Sequence, residues 1–171
     1  MKSKFVLAAI LVMAALSSSA QKDTKKFSVG LGLEAGIPTG NLATVYNVAA
    51  GLTLRLSYHV GPGFVTLTSG AIGYAPKSIE GVPKKLGLEI PVRAGYKYLF
   101  PKHFFVMGEL GYANFKTYYG DNGNVASVSS GSFIAAPSAG LQFNAFEVGL
   151  RYGINFKSNG GLFALRIAVN F

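Results

Sequence analysis

The sequence predicts an all-β fold, an eight-stranded antiparallel up-and-down transmembrane β-barrel. Three observations predict it. Hydrophobic residues make up 50% of the chain and charged residues only 13%, about half the charge of an ordinary soluble domain, so the chain lacks the polar surface to cover itself in water. Beyond the amino-terminal leader, no apolar run approaches the ~18 residues of a membrane helix. Instead, apolar and polar residues alternate with period two, which is the signature of a strand with different solvents on its two faces.

The alternation is strictest at the carboxyl end. In 145–156, Phe146, Val148, Leu150, Tyr152, Ile154 and Phe156 share one face, against Glu147, Gly149, Arg151, Gly153 and Asn155. In 162–171, Phe163, Leu165, Ile167, Val169 and Phe171 oppose Ala164, Arg166, Ala168 and Asn170. One face is wholly apolar and the other carries charges among glycine and alanine. That is the pattern of lipid outside and a polar lumen inside.

Taken from the start, residues 1–20 read as a secretory signal. Lys2 and Lys4 precede an apolar run over 5–16, and small residues at 17–20 place the cut after Ala20. Removing that segment leaves fourteen basic and seven acidic residues, a charge of +7. The chain has no cysteine, so an exported fold must hold without disulfides, through its backbone hydrogen bonds. Residues 21–26 form a short periplasmic lead, and 27–171 are the barrel.

The first strand spans 27–37, with Leu31, Leu33 and Ile37 opposite Gly30, Gly32 and Glu34. The second spans 48–60, with Leu52, Leu54 and Leu56 opposite Thr53, Arg55 and Ser57, and Gly61-Pro62-Gly63 makes a tight turn. The third, 64–75, has an ambiguous face: Val65, Leu67 and Ala71 compete with Phe64, Ile72 and Tyr74, which a bulge near Ser69 and Gly70 would reconcile. A loop over 76–85 follows. The fourth strand, 86–100, sets Leu88, Ile90 and Val92 against Glu89, Arg93 and Lys97, with Pro91 predicting a local irregularity. The fifth, 104–116, sets Val106, Leu110 and Tyr112 against Met107, Glu109 and Gly111. The polar stretch 117–131 reads as a long loop, and the sixth strand as 132–143.

Eight is an even number, and the connections alternate between long and short. With the amino end in the periplasm, the long loops fall outside. Aromatics then form two belts at the head-group levels. Phe27, Tyr58, Phe64, Tyr98, Phe104, Phe143, Phe146 and Phe171 ring the periplasmic rim. Tyr74, Tyr112, Phe133, Phe156 and Phe163 ring the outer one.

Closure is required, because each unpaired backbone group in hydrocarbon costs several kcal/mol. An eight-stranded interior is just wide enough for side chains to fill. The inward set supplies Glu34, Glu89, Glu109 and Glu147 against Arg55, Arg93, Lys97, Arg151 and Arg166, a near-balanced charge network that predicts a cross-linked plug. An ion path through the same residues is the alternative.

The leader at 1–20, the Leu88-Glu89-Ile90-Pro91-Val92 segment, the strand over 147–156 and the terminal Phe171 resemble the small outer-membrane β-barrel family of porin-like proteins, akin to the OmpA/OmpX membrane domains. The Leu-Glu-Ile-Pro segment is similar to one in the PorT-like branch. The resemblance implies a barrel of the Gram-negative outer membrane. It also implies Phe171 as the signal read by the insertion machinery. Contact with outer-membrane lipid and lipopolysaccharide is expected from the lysines of the strand ends and loops, and the barrel is expected to be a monomer. The resemblance implies no activity, since the family is defined by its barrel.

Other chemistry is sparse. His59 and His103 lack the company and spacing of a zinc motif. Ser127, Ser129 and Ser130 have no histidine at their rim to form a hydrolytic set. No catalytic residue, metal ligand or cofactor is expected. The basic balance carries no nucleic-acid motif, and Lys77, Lys84 and Lys85 are candidates for contact with anionic lipid. The expected role is structural or binding, a plugged barrel displaying its loops. The alternatives are a narrow porin-like channel, an accessory component of a secretion or assembly machine, and a soluble lipocalin-like barrel with its faces reversed.

Overall fold

Alternation of this kind closes into a tube. The computed structural model describes residues 26–77, 85–121 and 124–171; the proposed signal at 1–20, most of the lead at 21–26, and Lys84 lie outside them. Eight strands run β1 (Phe27–Gly40), β2 (Tyr46–Val60), β3 (Gly63–Pro76), β4 (Lys85–Leu99), β5 (Phe104–Asp121), β6 (Asn124–Phe143), β7 (Phe146–Asn155) and β8 (Gly160–Asn170). Each pairs antiparallel with its sequence neighbour, and β1 pairs with β8 from Gly30↔Asn170 to Gly40↔Gly160 to close the barrel. Closure extends to the last residue: the Phe171 N–H donates to the Val29 carbonyl at 2.8 Å, and the Val29 N–H to that of Phe171 at 3.1 Å. No helix among the described residues is long and apolar enough to cross a membrane.

The two ends differ. One carries the β2–β3, β4–β5 and β6–β7 turns, the start of β1 and the end of β8; we call it the turn end. Asn144 and His103 sit there in left-handed backbone, at φ 48° and 71°, a region where Asn and His are several-fold enriched among side-chain-bearing residues. The opposite, loop end carries the short helix α1 (Leu42–Val45) between β1 and β2.

The exterior is apolar. Leu33, Leu52 and Leu150 are exposed, Leu110 is 68% exposed, and Phe133 71%. A soluble protein does not present such a continuous apolar surface. It is the lipid-facing band of a transmembrane barrel, so the reversed, lipocalin-like arrangement is excluded. Aromatic side chains face outward near both ends: Phe27, Tyr58, Phe104, Phe143 and Phe146 at the turn end, and Tyr112, Tyr152, Phe133, Phe156 and Phe163 toward the loop end.

Three expectations are corrected. The stretch 117–131 is largely strand, because β5 continues to Asp121 and β6 starts at Asn124, paired Asp121↔Asn124 through Phe104↔Leu141. On its other side β6 meets β7 only from Ile134↔Asn155. The β5–β6 hairpin therefore rises past β7, while β4 stays paired with β5 as far as Lys85↔Tyr119. The third strand has no bulge at Ser69 and Gly70: β2–β3 register is constant from Val48↔Ala75 to Val60↔Gly63, and the shift lies between Tyr46 and Val48. With register unbroken, Ile72 and Tyr74 point into the lumen. Tyr74, 0% exposed, therefore belongs to no outer aromatic belt, and Phe64, also on the lumen parity, packs its ring on His59 at 5.0 Å. At Pro91 the expected irregularity is local. The β3–β4 ladder skips from Ser69↔Val92 to Ile72↔Glu89, while β4–β5 pairing runs through Pro91↔Ala113, as a residue without an N–H requires.

Candidate functional site: the ionic lumen

Strand parity turns every second side chain inward, and in mid-barrel those side chains are charged. Glu34, Arg55, Arg93, Lys97, Glu109, Glu147, Arg151 and Arg166 are all buried. They come from β1, β2, β4, β5, β7 and β8, with Glu34 directly opposite Arg166 in the β1–β8 ladder, and two clusters result.

Toward the turn end the centre is Glu147. Its Oε1 accepts from Arg55 Nη1 at 2.7 Å and from Arg166 Nη1 at 2.6 Å, and its Oε2 from Lys97 Nζ at 2.5 Å. Lys97 also donates to Gln142 Oε1 at 2.5 Å and lies 4.4 Å from the centroid of the Phe105 ring. Phe105 fits only because β6 and β7 present glycine to it: a Cβ on Gly140 or Gly149 would stand 2.9 Å from a carbon of that ring.

Toward the loop end the centre is Glu34. Arg151 grips it with both terminal nitrogens, Nη1 at 2.6 Å from Oε1 and Nη2 on Oε2. The first contact is a charge-assisted hydrogen bond, and the second is an ion pair without one. Arg166 Nε lies 3.6 Å from Oε1, and Arg93 Nη2 3.9 Å. Two threonines bridge acid to base, Thr53 between the clusters and Thr68 between Glu109 and the turn-end cluster. The Thr53 hydroxyl donates to Glu34 Oε1 at 3.2 Å and accepts from Arg166 Nε at 3.2 Å. The Thr68 hydroxyl donates to Glu109 Oε1 at 2.5 Å and accepts from Arg55 Nε at 3.1 Å. Glu109 itself has only distant cations, Arg55 Nε and Arg93 Nε, both at 3.9 Å.

Glu89 stands apart from the rest of the expected set. It lines the lumen, half-buried, and makes no ion pair with any described cation; the Tyr74 hydroxyl donates to its Oε2. Above it the lumen becomes apolar. Tyr46, Tyr74, Ile72 and Leu162 pack with Leu42 of α1 and with Phe115, the rings of Tyr46, Tyr74 and Phe115 meeting edge-on at 5.1 to 5.8 Å. The charge network is thus roofed by an aromatic cap. Two small internal cavities border the network, of about 20 and 10 Å³. A cavity needs ~10–15 Å³ to hold one water, so each has room for about one.

The threonines, Tyr74 and Phe105 escape a reading based on charge alone. Lumen parity is the signal that finds Thr53, Thr68 and Phe105. The remaining candidates lie elsewhere. Lys77 is exposed at the loop end, its N–H donating to the Val45 carbonyl at 2.8 Å; Lys85 begins β4 at that end, its side chain outside the described part. His59 and His103 are both at the turn end, His103 packed on Phe143 at 5.0 Å. Ser129 donates to Asn114 Oδ1 at 2.8 Å, and Ser130 accepts from Lys157 Nζ at 3.0 Å, at the opposite end from either histidine. Among the described residues no group of His, Cys, Asp and Glu is placed to hold a metal.

The architecture is matched by solved structures. Ail, the attachment invasion locus protein of Yersinia pestis, solved in complex with the heparin analogue sucrose octasulfate, superposes with a TM-score of 0.63 at 14% identity, covering 85% of this chain and 99% of that one. The N-terminal β-barrel domain of Pseudomonas aeruginosa OprF matches with 0.58 at 13% identity, over 84% and 97%. This chain has the small outer-membrane β-barrel fold. Neisserial surface protein A is a third such structure, at 0.56 and 14% identity over 88% and 100%. No family model and no curated protein sequence matches this chain. At such identities it is the barrel that is shared, and the lumen side chains have to be read on their own terms.

Proposed function

We propose that this protein is a plugged barrel of the Gram-negative outer membrane whose role is structural or binding: it holds its loop end outside the cell on a rigid, non-conducting scaffold. The observation that carries the reading is the continuous bonding across the lumen, from Lys97 through Glu147, Arg166, Thr53 and Glu34 to Arg151. The aromatic cap above it adds a second seal. In this reading the chain is exported by a signal cleaved after Ala20, and Phe171 is the residue recognised during insertion. Lipid and lipopolysaccharide surround the band, with Lys77, Lys84 and Lys85 near the outer head groups, and the barrel is a monomer.

The loop-end surface that would be displayed is the β5–β6 ribbon. Its exposed segment from Ser127 to Ser130 is uncharged and polar apart from Val128, a surface suited to contact rather than catalysis. No histidine stands near those serines, so we read the protein as non-enzymatic. The accessory-component reading rests on the Leu88–Val92 resemblance alone.

Single-channel recording in a planar bilayer tests the proposal. We expect a silent membrane with the wild-type barrel inserted. Steady conductance steps whose size changes on neutralising Arg93 or Arg151 would overturn it in favour of a narrow channel.

A further inference from the structure

The lumen charges do not balance. Among the described residues five cations are buried in the barrel, Arg55, Arg93, Lys97, Arg151 and Arg166, against three buried carboxylates, Glu34, Glu109 and Glu147. Glu89 is the next acid, and its Oε2 is engaged by the Tyr74 hydroxyl. Even counting it, one positive charge is left over in a region shielded from water by the sheet and the cap. Uncompensated buried charge is among the costliest features a fold can carry.

Three of the four buried guanidinium nitrogens without a hydrogen bond among the described residues belong to Arg93 and Arg151, the fourth being Arg166 Nη2. Arg93 is 1% exposed, yet its Nε and Nη2 make no hydrogen bond, and its carboxylate neighbours, Glu34 and Glu109, both stay at 3.9 Å. Arg151 spends both terminal nitrogens on Glu34 and leaves Nε unpartnered. Both arginines line the same cavity of about 20 Å³, between the network and the cap, with Tyr74, Glu89, Leu42, Ile134 and Asn155 also in its wall. A water there would satisfy donors without answering the charge. A polyatomic oxyanion is too large for a space of one to two water volumes.

We propose that this cavity binds a single monatomic monovalent anion, chloride in an ordinary medium, held by the unpartnered N–H groups of Arg93 and Arg151. Guanidinium donors suit it, because a charge-assisted hydrogen bond in a low-dielectric site is about twice as strong as a neutral one. The carboxylate of Glu89 shares the cavity and opposes the anion, which sets the affinity below what two arginines alone would give. The site is part of the scaffold, and its occupancy does not depend on what the loop end binds.

Thermal unfolding of the full barrel in detergent micelles is the test, followed by circular dichroism in sodium chloride, bromide or gluconate at matched ionic strength. Tm rises with chloride and saturates, bromide substitutes for it, and gluconate does not. Glu89→Gln removes the opposing charge and lowers the half-saturating chloride by about tenfold or more. Arg93→Gln raises it by about tenfold or more. Bromide-soaked crystals place an anomalous peak between Arg93 and Arg151. Should Arg93→Gln fail to fold, Glu89→Gln and the bromide peak decide the matter. Equal Tm in chloride and gluconate overturns the proposal. So does a chloride effect found only in Glu89→Gln, which would make Glu89 the native counter-ion, or one that neither variant alters.

Discussion

Replacing Glu147 with glutamine keeps the shape of the side chain and removes the charge that three buried cations share. Arg55, Arg166 and Lys97 all bond this one carboxylate at 2.5 to 2.7 Å. Breaking a buried pair costs about 3–5 kcal/mol, because the surviving charge is left uncompensated. The loss is not threefold, since each cation keeps a second partner: Thr68 for Arg55, Thr53 for Arg166, Gln142 for Lys97. We expect about 4 kcal/mol, a large share of the ~5–15 kcal/mol that stabilises a typical domain. With a urea m-value of about 2 kcal/mol/M, the unfolding midpoint falls by about 2 M. The chain has no tryptophan, so the assay is urea unfolding from lipid vesicles, read by circular dichroism and by the gel mobility of folded barrel. Adding Lys97→Met to Glu147→Gln removes one of the stranded charges, and the two substitutions should couple by about 1 kcal/mol or more in the favourable direction. A midpoint within about 0.5 M of wild type, or strictly additive effects, refutes the view that the network carries the lumen's stability.

Other perturbations probe the same architecture from different sides. Leu110→Arg, on the lipid face midway along β5, should cost about 2–4 kcal/mol in bilayers; a stability equal to wild type in the vesicle urea titration would count against membrane burial of that face. Gly32→Ala would place a Cβ 2.7–2.8 Å from the Arg166 guanidinium and push it off its carboxylates, at a cost of about 1–3 kcal/mol; an unchanged urea midpoint would show that Arg166 has room to give. Tyr74→Phe removes the hydroxyl that donates to Glu89 and should cost about 1 kcal/mol, measured as a drop in Tm at fixed chloride.

What could be read from the chain, and what could not, follows from where water is. Inside the membrane band each strand has lipid on one face and charge on the other, so alternation alone placed Arg151 and Arg166 inward and Leu150 and Ile167 outward. Past the band that contrast disappears. The ribbon over Ser127–Ser130 is exposed on both faces, so its residues have no reason to alternate, and a strand there has the composition of a loop. The local signal was Asn122-Gly123, the pair favoured in two-residue hairpins, lying between the observed ends of β5 and β6. Tyr74 and Ile72 misled for the converse reason: the lumen's loop-end cap is itself apolar, so inward and outward residues there look alike. Partner choice within the lumen is a further step removed. Arg151 and Glu34 are 117 residues apart, and whether they meet depends on the register of every ladder between them. Period two puts a charge inside the tube, but only the accumulated stagger of the strands decides its height, and so leaves Arg93 midway between Glu34 and Glu109 with a firm hold on neither.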